Sequence, residues 1–455
     1  MKRVAVFLSL AALPAALYAQ KKWTLNECID YATKNSLNVK TSQLTIQSNR
    51  ILADKSRLSY VPDLTLYSDY RLNTNRSLAP LTYSFIENTH NHAADVGINL
   101  GANLFDGLRK YYAYHKSLSD WEASMADFEA LKNDLSLSVL LSYMNILLSK
   151  EIISSVKQQL ENSEQHIGQA KRLLQEGVIT AEKLQNLQIQ RDNEKYALAD
   201  AEGNLVSAII NLCSLLNIAD YQTFDIEDEY SFRSVEMIPL KDIIASAMSL
   251  PQVQAGKIKI RSAEYGLKVA RSDLYPTLSF GAFFGSSYSD LRKRVLPDAN
   301  GNPLIAGNEY LYDGYPFFNQ LNNHRSAYLS LTAGYPILNL FQTKKNIALA
   351  KHNILNAQYE LQAIEKKLTE HIAQTYAEVE TARKKYEASL SASEHARAIL
   401  SYAVNKLTNG VLTPSDYTVT KNNLMVAEAQ ASRAKYEYFF KLELLMFYYS
   451  QANAM

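Results

Sequence analysis

From about Leu108 to Glu176 an apolar side chain recurs every seven residues, at Val139, Ile146, Ile153, Leu160, Ile167 and Leu174. Three residues after the first five stand Ser142, Ser149, Val156, Ser163 and Ala170. This heptad, with a mostly small second seam position, predicts a long helix that lies close beside its neighbours. A run from about Gln342 to Asn409 repeats it with Ile372, Val379, Tyr386, Ser393, Leu400 and Leu407. Its second position reads Thr375, Ala382, Ser389, Ala396 and Ala403. Leu184, Leu198, Leu205 and Leu212 continue the seam on the first return helix, and Tyr417, Leu424, Tyr438 and Leu445 on the second. A helix of this length rises roughly 100 Å, well beyond the ordinary globular range. Such hairpins suit a cylinder built from several chains or a solid helical bundle.

Each long run ends in the same kind of turn. The first is Glu176-Gly177-Val178-Ile179-Thr180, and the second is Asn409-Gly410-Val411-Leu412-Thr413, followed by Pro414. Glycine closes a helix with positive φ, threonine caps the next one, and proline suits the first helical position.

Elsewhere the period falls to two. From Ala94, the residues Val96, Ile98, Leu100, Ala102 and Leu104 alternate with Asp95, Gly97, Asn99, Gly101 and Asn103. From Ala327, the residues Leu329, Leu331, Ala333 and Tyr335 alternate with Tyr328, Ser330, Thr332 and Gly334. With partner segments at about 64–72 and 278–286, these predict two strand pairs of membrane-crossing length. A half-buried soluble sheet carries the same alternation. Polar loops, about Asn73–His92 and Tyr288–His324, join the strands of each pair. Four strands cannot close a membrane barrel, so strands in lipid require several chains: eight strands from two copies or twelve from three.

The chain repeats itself. Pro62 aligns with Pro276 and Val39 with Val253 without a gap, and Phe105 with Phe341 and Gly177 with Gly410 at larger offsets. The predicted division is a first repeat over 20–216, an acidic linker over 217–237, a second repeat over 238–449 and a tail over 450–455. The first helix of the mature chain is expected to run from Thr24 or Asn26 to about Ser59, before Pro62. The linker acids, among them Asp225, Glu227, Asp228 and Glu229, are expected to be solvated.

Composition narrows the function classes. A net charge of +1 gives no electrostatic case for nucleic acid. Fifteen glycines and 11 prolines fit long helices, and 30 tyrosines suit membrane interfaces. Lys2-Arg3, the apolar stretch Val4–Leu17 and Tyr18-Ala19-Gln20 form an export signal over 1–19 with cleavage after Ala19. No other stretch approaches 18 consecutive apolar residues, so any membrane crossing is expected to use strands. Cys28 and Cys213 read as buried small hydrophobes, with a disulfide as the alternative. The eight histidines show no ligand spacing, His90 and His92 fall in a polar loop, and no catalytic or phosphate-binding motif occurs. Neither enzymatic activity nor a cofactor or metal is expected.

The doubled helix-strand-strand-helix-helix unit, Phe105-Asp106-Gly107 after the second strand, and the two Gly-Val-hydrophobic-Thr tips together resemble the TolC-like outer-membrane efflux proteins. The resemblance runs from Trp23 to about Tyr449. It implies a mainly α chain with transmembrane β: a homotrimer forming a 12-stranded outer-membrane barrel continuous with a periplasmic α-helical barrel. It implies an exit duct of a tripartite efflux or type I secretion system, joined through a periplasmic adaptor (membrane fusion) protein to an inner-membrane pump. By position it places adaptor docking on Gly177, Val178, Ile179, Thr180, Gly410, Val411, Leu412 and Thr413. It also places Asp416 at a pore aperture where the best-studied relative has two acids; Val419 stands at the second place. Asp416 equally suits the first turn of a helix capped by Thr413. Lys183 occupies the matching place in the first repeat, in keeping with an outer hairpin. The rival reading is a periplasmic coiled-coil adaptor or scaffold.

Overall fold

The computed structural model describes residues 22–78, 83–177, 179–227, 237–307, 309–408, 411–412 and 414–453. The export signal, linker residues Asp228 and Glu229, and Val178, Asn409, Gly410 and Thr413 of the tips lie outside them. In chain order the elements are β1 (Lys22–Trp23), α1 (Leu25–Asn35), α2 (Leu37–Leu58), β2 (Asp63–Leu78), β3 (Phe85–Phe105), α3 (Arg109–Gln175) and α4 (Ala181–Leu216). Then follow β4 (Asp225–Ile226), α5 (Leu240–Ala247), α6 (Pro251–Ser272), β5 (Thr277–Ser289), β6 (Lys293–Val295), β7 (Ile305–Ala306), β8 (Glu309–Tyr310) and β9 (Tyr312–Gly314). The last are α7 (Phe317–Asn323), β10 (Ser326–Gly334), α8 (Leu340–Thr408) and α9 (Pro414–Asn453).

One unit comprises residues up to 46, 124–256 and 361–455, and is helical apart from the short pair β1–β4. Its two cores are copies of one solution. In the first, Cys28 and Ala32 of α1 meet Val139, Tyr143 and Ile146 of α3 and Leu212, Cys213 and Leu216 of α4. In the second, Ile243 and Ala247 of α5 meet Ile372 and Val379 of α8 and Leu442 and Leu445 of α9. The predicted seam is the packed face. Val139, Ile146, Ile153, Ile167, Ile372, Val379, Leu212, Leu424 and Leu445 are buried, as are Ser149, Ser163, Ala170, Thr375, Ala382, Ser393 and Ala403. The duplication reaches single residues, since Val39 is 1% and Val253 0% exposed. Cys28 and Cys213 are two buried thiols in the first core, not a disulfide.

Three expectations about the helices and the linker require correction. The first helix is not continuous to Ser59: it stops at Asn35, and α2 starts at Leu37. Ser36 there adopts φ −58°, ψ 133°. The equivalent break in the second repeat is opened by Pro251, which has no N–H to give a continuing helix. At the front end Thr24 is the cap, with a reciprocal bond pair to Glu27 of 3.2 and 3.1 Å. The linker is also not wholly solvated. Asp225 lies in β4, parallel to β1, and its carboxylate takes 2.6 Å contact with Lys150 while Ile226 beside it is buried. Finally, α3 does contain an 18-residue window of mean hydropathy 1.3. Its Leu140, Met144 and Leu147 are buried in the first core, which accounts for the apolar run.

The other unit comprises 47–123 and 257–360. It holds an antiparallel four-stranded sheet in the order β10-β5-β3-β2. The first strand pair is longer than expected, because β2 and β3 remain paired through most of the supposed polar loop, from Asn73↔Asn91 to Leu78↔Phe85. Strand pairing needs only backbone groups, so a segment polar on both faces continues it once a hairpin has started. His90 and His92 therefore sit on β3, and the His92 ring meets the Tyr70 hydroxyl. The second loop is folded too. It contains β6 paired with β9, β7 with β8, and α7. The buried Gln320 of α7 holds it down, accepting from Ser289 N at 3.0 Å and donating to the carbonyls of Ser289 and Tyr315 at 2.9 and 2.8 Å.

Candidate functional site: a two-faced sheet and two hairpin tips

Register assigns every sheet residue to a face. Leu64, Leu66 and Tyr70 pair with Leu100, Ile98 and Ala94; these pair with Ala282, Phe284 and Tyr288; Ala282 and Phe284 pair with Leu329 and Ala327. Apart from Ser68, Ser286 and His92, one face is thus apolar across all four strands, and it is uncovered: Leu66 is 73% and Leu329 77% exposed. The opposite face carries Thr65, Asp69, Arg71, Asp95, Asn99, Asn103, Ser279, Ser330 and Thr332. From Leu64 to Leu72 the apolar band spans eight steps, about 27 Å along the strand and roughly 20 Å once tilted. A water-facing sheet would show the reverse, with the polar face outward and the apolar face on a core. Exposed aromatic residues mark the strand-to-helix junctions of this unit, at Tyr60, Phe105, Tyr275 and Tyr335, as in the girdle of a membrane barrel.

The junction after β3 is tightly built. Gly107 has φ +67° and Leu108 φ +65°, so the chain turns through two left-handed residues before α3. The Asp106 carboxylate accepts from the Lys110 N–H at 3.3 Å and caps the new helix.

At the first tip, Gly177 has φ +76° and donates to the Leu174 carbonyl at 3.1 Å, ending α3. Thr180 caps α4, accepting from the Lys183 N–H at 3.4 Å. At the second tip, Val411 and Leu412 donate to the Lys406 carbonyl at 2.9 and 3.3 Å. Val411 is 74% exposed, Leu412 is half-buried, and Pro414 opens α9. Asp416 is exposed in the first turn of α9, and Val419 one turn later is exposed as well. Ile179, Lys183 and Val419 share one cleft of about 220 Å³, with Leu173, Leu187 and Asn422. The first tip is therefore brought against the start of α9, whereas Val411, Leu412 and Asp416 do not line that cleft.

Two further features escaped the sequence reading. The hairpins are cross-linked near the tips, His166 to Asn422 at 3.3 Å and Asn162 to the Met425 sulfur at 3.0 Å. Pairing of one polar residue with another 256 positions away leaves no periodic trace. The second feature is a spare heptad. Leu37, Leu44, Ile51 and Leu58 of α2 recur every seven residues and are all more than 60% exposed. On α4, Ile189, Tyr196 and Ile210 are exposed at the same register. These stripes were visible in the sequence as a second seven-residue series beside the seam.

The model of the family described as outer membrane efflux protein matches residues 28–217 and 247–447, that is, both repeats. The outer membrane efflux protein BepC of Brucella suis biovar 1 (strain 1330) is 21% identical over 421 residues, covering 91% of this chain and 82% of that one. The fold is similar to that of the Campylobacter jejuni CmeC outer membrane channel, with TM-score 0.76, 17% identity, and 94% and 86% of the two chains covered. It is similar also to the outer membrane protein VceC of Vibrio cholerae, with TM-score 0.75, 13% identity, and 93% and 94% covered. The chain belongs to the outer membrane efflux protein family, as an efflux channel of the outer membrane that extends into the periplasm.

Proposed function

We propose that three copies close into one passive exit duct, driven by an inner-membrane pump to which a periplasmic adaptor connects it. The observation that carries this reading is the sheet: an uncovered apolar face backed by a polar one, with β2 and β10 as its outer strands. Unpaired edges are not tolerated in lipid, and four strands are too few to curl shut. Three copies supply twelve strands, with the apolar band against lipid and the polar face around water. The spare heptads on α2 and α4 support the same assembly, since they offer seams to helices of another copy. The chain does no chemistry of its own in this scheme; its family is one of channels.

The tips are the docking surface of the adaptor. Val411, 74% exposed on its turn, offers an apolar side chain to a partner hairpin. Asp416 forms an aperture ring, exposed one turn from Val419, where a threefold set of carboxylates favours cations. Val411→Asp and Val178→Asp test the docking: each abolishes export in cells while leaving heat-modifiable trimers on a gel. Normal export by both variants removes the assignment, and a purified protein that forms neither trimers nor conducting pores removes the duct itself.

A further inference from the structure

The polar face of the sheet holds one apolar feature. Tyr67 of β2, Phe283 of β5 and Tyr328 of β10 form a stacked row with centroids 6.2 and 5.0 Å apart and ring planes 28° and 26° from parallel. Space for it comes from glycine. A Cβ on Gly97 of β3 or Gly285 of β5 would meet the Phe283 ring at 2.9 or 2.6 Å, so the ring lies down over bare backbone. An aromatic ring covering strand glycines stabilises a sheet by itself, and that accounts for Phe283. The Tyr67 ring shares in it, lying 3.1 Å from a Cβ on Gly97, but it does not account for Tyr328, which stands on the outermost strand β10, 57% exposed.

The surroundings define what the row contacts. Two residues further along the strands are Asp69 and Asp95, both paired with Arg71, and Ser287, to which Arg292 donates at 2.8 and 2.9 Å. Two carboxylates face two guanidiniums, so this level selects neither sign of charge. In the other direction the wall carries Asn99, Asn103, Ser279 and Ser330, with one charge, Asp63, at the start of β2. The row is a π surface, running from one edge of the sheet to the other, in a polar wall whose nearest charged level is balanced.

We propose that Tyr67, Phe283 and Tyr328 form a cargo-contact subsite for flat aromatic molecules in transit. This rests on the reading of the polar face as the wall of the duct, where three copies set nine such rings. Stacking on exposed rings is indifferent to the detailed structure of the guest, as befits a conduit. It is also weak enough to release what it holds, a requirement for passage.

The test is current blockade of purified trimers in a planar bilayer. The probes are benzyltrimethylammonium and its saturated counterpart (cyclohexylmethyl)trimethylammonium, equal in charge and similar in size. The expected result is blockades by the aromatic probe lasting roughly fivefold longer or more. Tyr328→Leu and Phe283→Leu reduce that ratio toward one while open-channel conductance stays near the wild-type value. Equal dwell times for the two probes in the wild type, or an unchanged ratio in the variants, overturn the proposal. If Phe283→Leu does not assemble, Tyr328→Leu decides alone, since its ring covers none of these glycines. Wild-type trimers that conduct without preferring the aromatic probe reject this subsite only. Wild-type trimers that do not conduct reject the duct reading and the subsite with it.

Discussion

Replacing Gly107 by alanine tests whether the joint between β3 and α3 is fixed by backbone geometry. The residue has φ +67°, and a Cβ there would lie 2.5 Å from the Ser272 carbonyl oxygen and 3.0 Å from Tyr275 Cβ. A left-handed backbone costs an alanine about 1–2 kcal/mol. The contact with Ser272 is with main chain, which cannot rotate away, and overpacking of this kind costs about 1–3 kcal/mol. The sum is about 2–5 kcal/mol per protomer. Two companions isolate the cause. Gly101→Ala is expected to be silent at this scale, because nothing lies within 4 Å of its added Cβ. Leu108→Gly is expected to be neutral or stabilising by about 1 kcal/mol, because Leu108 already bears φ +65° and its side chain is exposed. The assay is the temperature at which the proposed trimers, solubilised in detergent, dissociate on a semi-native gel, read at a fixed heating time because unfolding of such assemblies is a rate process. With shifts of about 2–4 °C per kcal/mol in mid-sized domains and smaller ones in longer chains, Gly107→Ala should lose several degrees. A Gly107→Ala trimer that dissociates with the wild type, or a Leu108→Gly trimer that loses as much, refutes the reasoning.

Ile372→Ala empties a fully buried position of the second core and should cost about 2–5 kcal/mol, measured by the same dissociation temperature. Burial, reinforced by the Asp220 carboxylate, pushes the Cys213 thiol up to about 11, so iodoacetamide at pH 8 should leave it unmodified until the protein is denatured. Mass spectrometry of the two samples checks this. Glu378 is held below the usual carboxylate range chiefly by the hydrogen bond from Lys441 at 2.7 Å. A depressed carboxyl stabilises the fold above its unfolded value and ceases to as pH falls through the folded one. Glu378→Gln should therefore melt slightly lower than wild type at pH 7, by less than about 1 kcal/mol because the pair is partly exposed, and the two curves should converge in acid below the glutamate range. Asp416→Ala should reduce the cation selectivity of the pore in planar bilayers; unchanged reversal potentials would leave Asp416 as a helix-terminal residue alone.

Periodicity carried most of the fold, because seams and sheets bury side chains at fixed intervals. Val139, Ile146 and Ile153 are buried as their spacing predicts, and the alternation from Ala94 to Leu104 is the two-faced strand β3. What periodicity cannot carry is pairing that uses backbone alone. The stretch Asn73–Leu78 reads as loop by composition, yet its ladder continues because Phe85–His92 lies opposite it. The break at Ser36 was hidden by the helical character of both flanks, although Pro251 stands at the equivalent place in the second repeat. At the tips, capping chemistry located Gly177 and Thr180 correctly. The contact of Ile179 with Val419 required the fold, because those residues are joined by tertiary packing of two hairpins. The aromatic row was invisible for the same reason: Tyr67, Phe283 and Tyr328 become neighbours only through strand order.

The outer strands β2 and β10 and the uncovered stripe on α2 carry a consequence for how the protein comes to exist. If the duct is built from three copies as proposed, a lone chain leaves both its sheet edges and its spare seams in water, and its native state is reached only by meeting other copies. Stability then depends on protomer concentration, and a drop in expression lowers it as surely as a mutation does. In that scheme the same edges, before assembly, invite pairing with any other strand, so an unassembled chain is prone to aggregate.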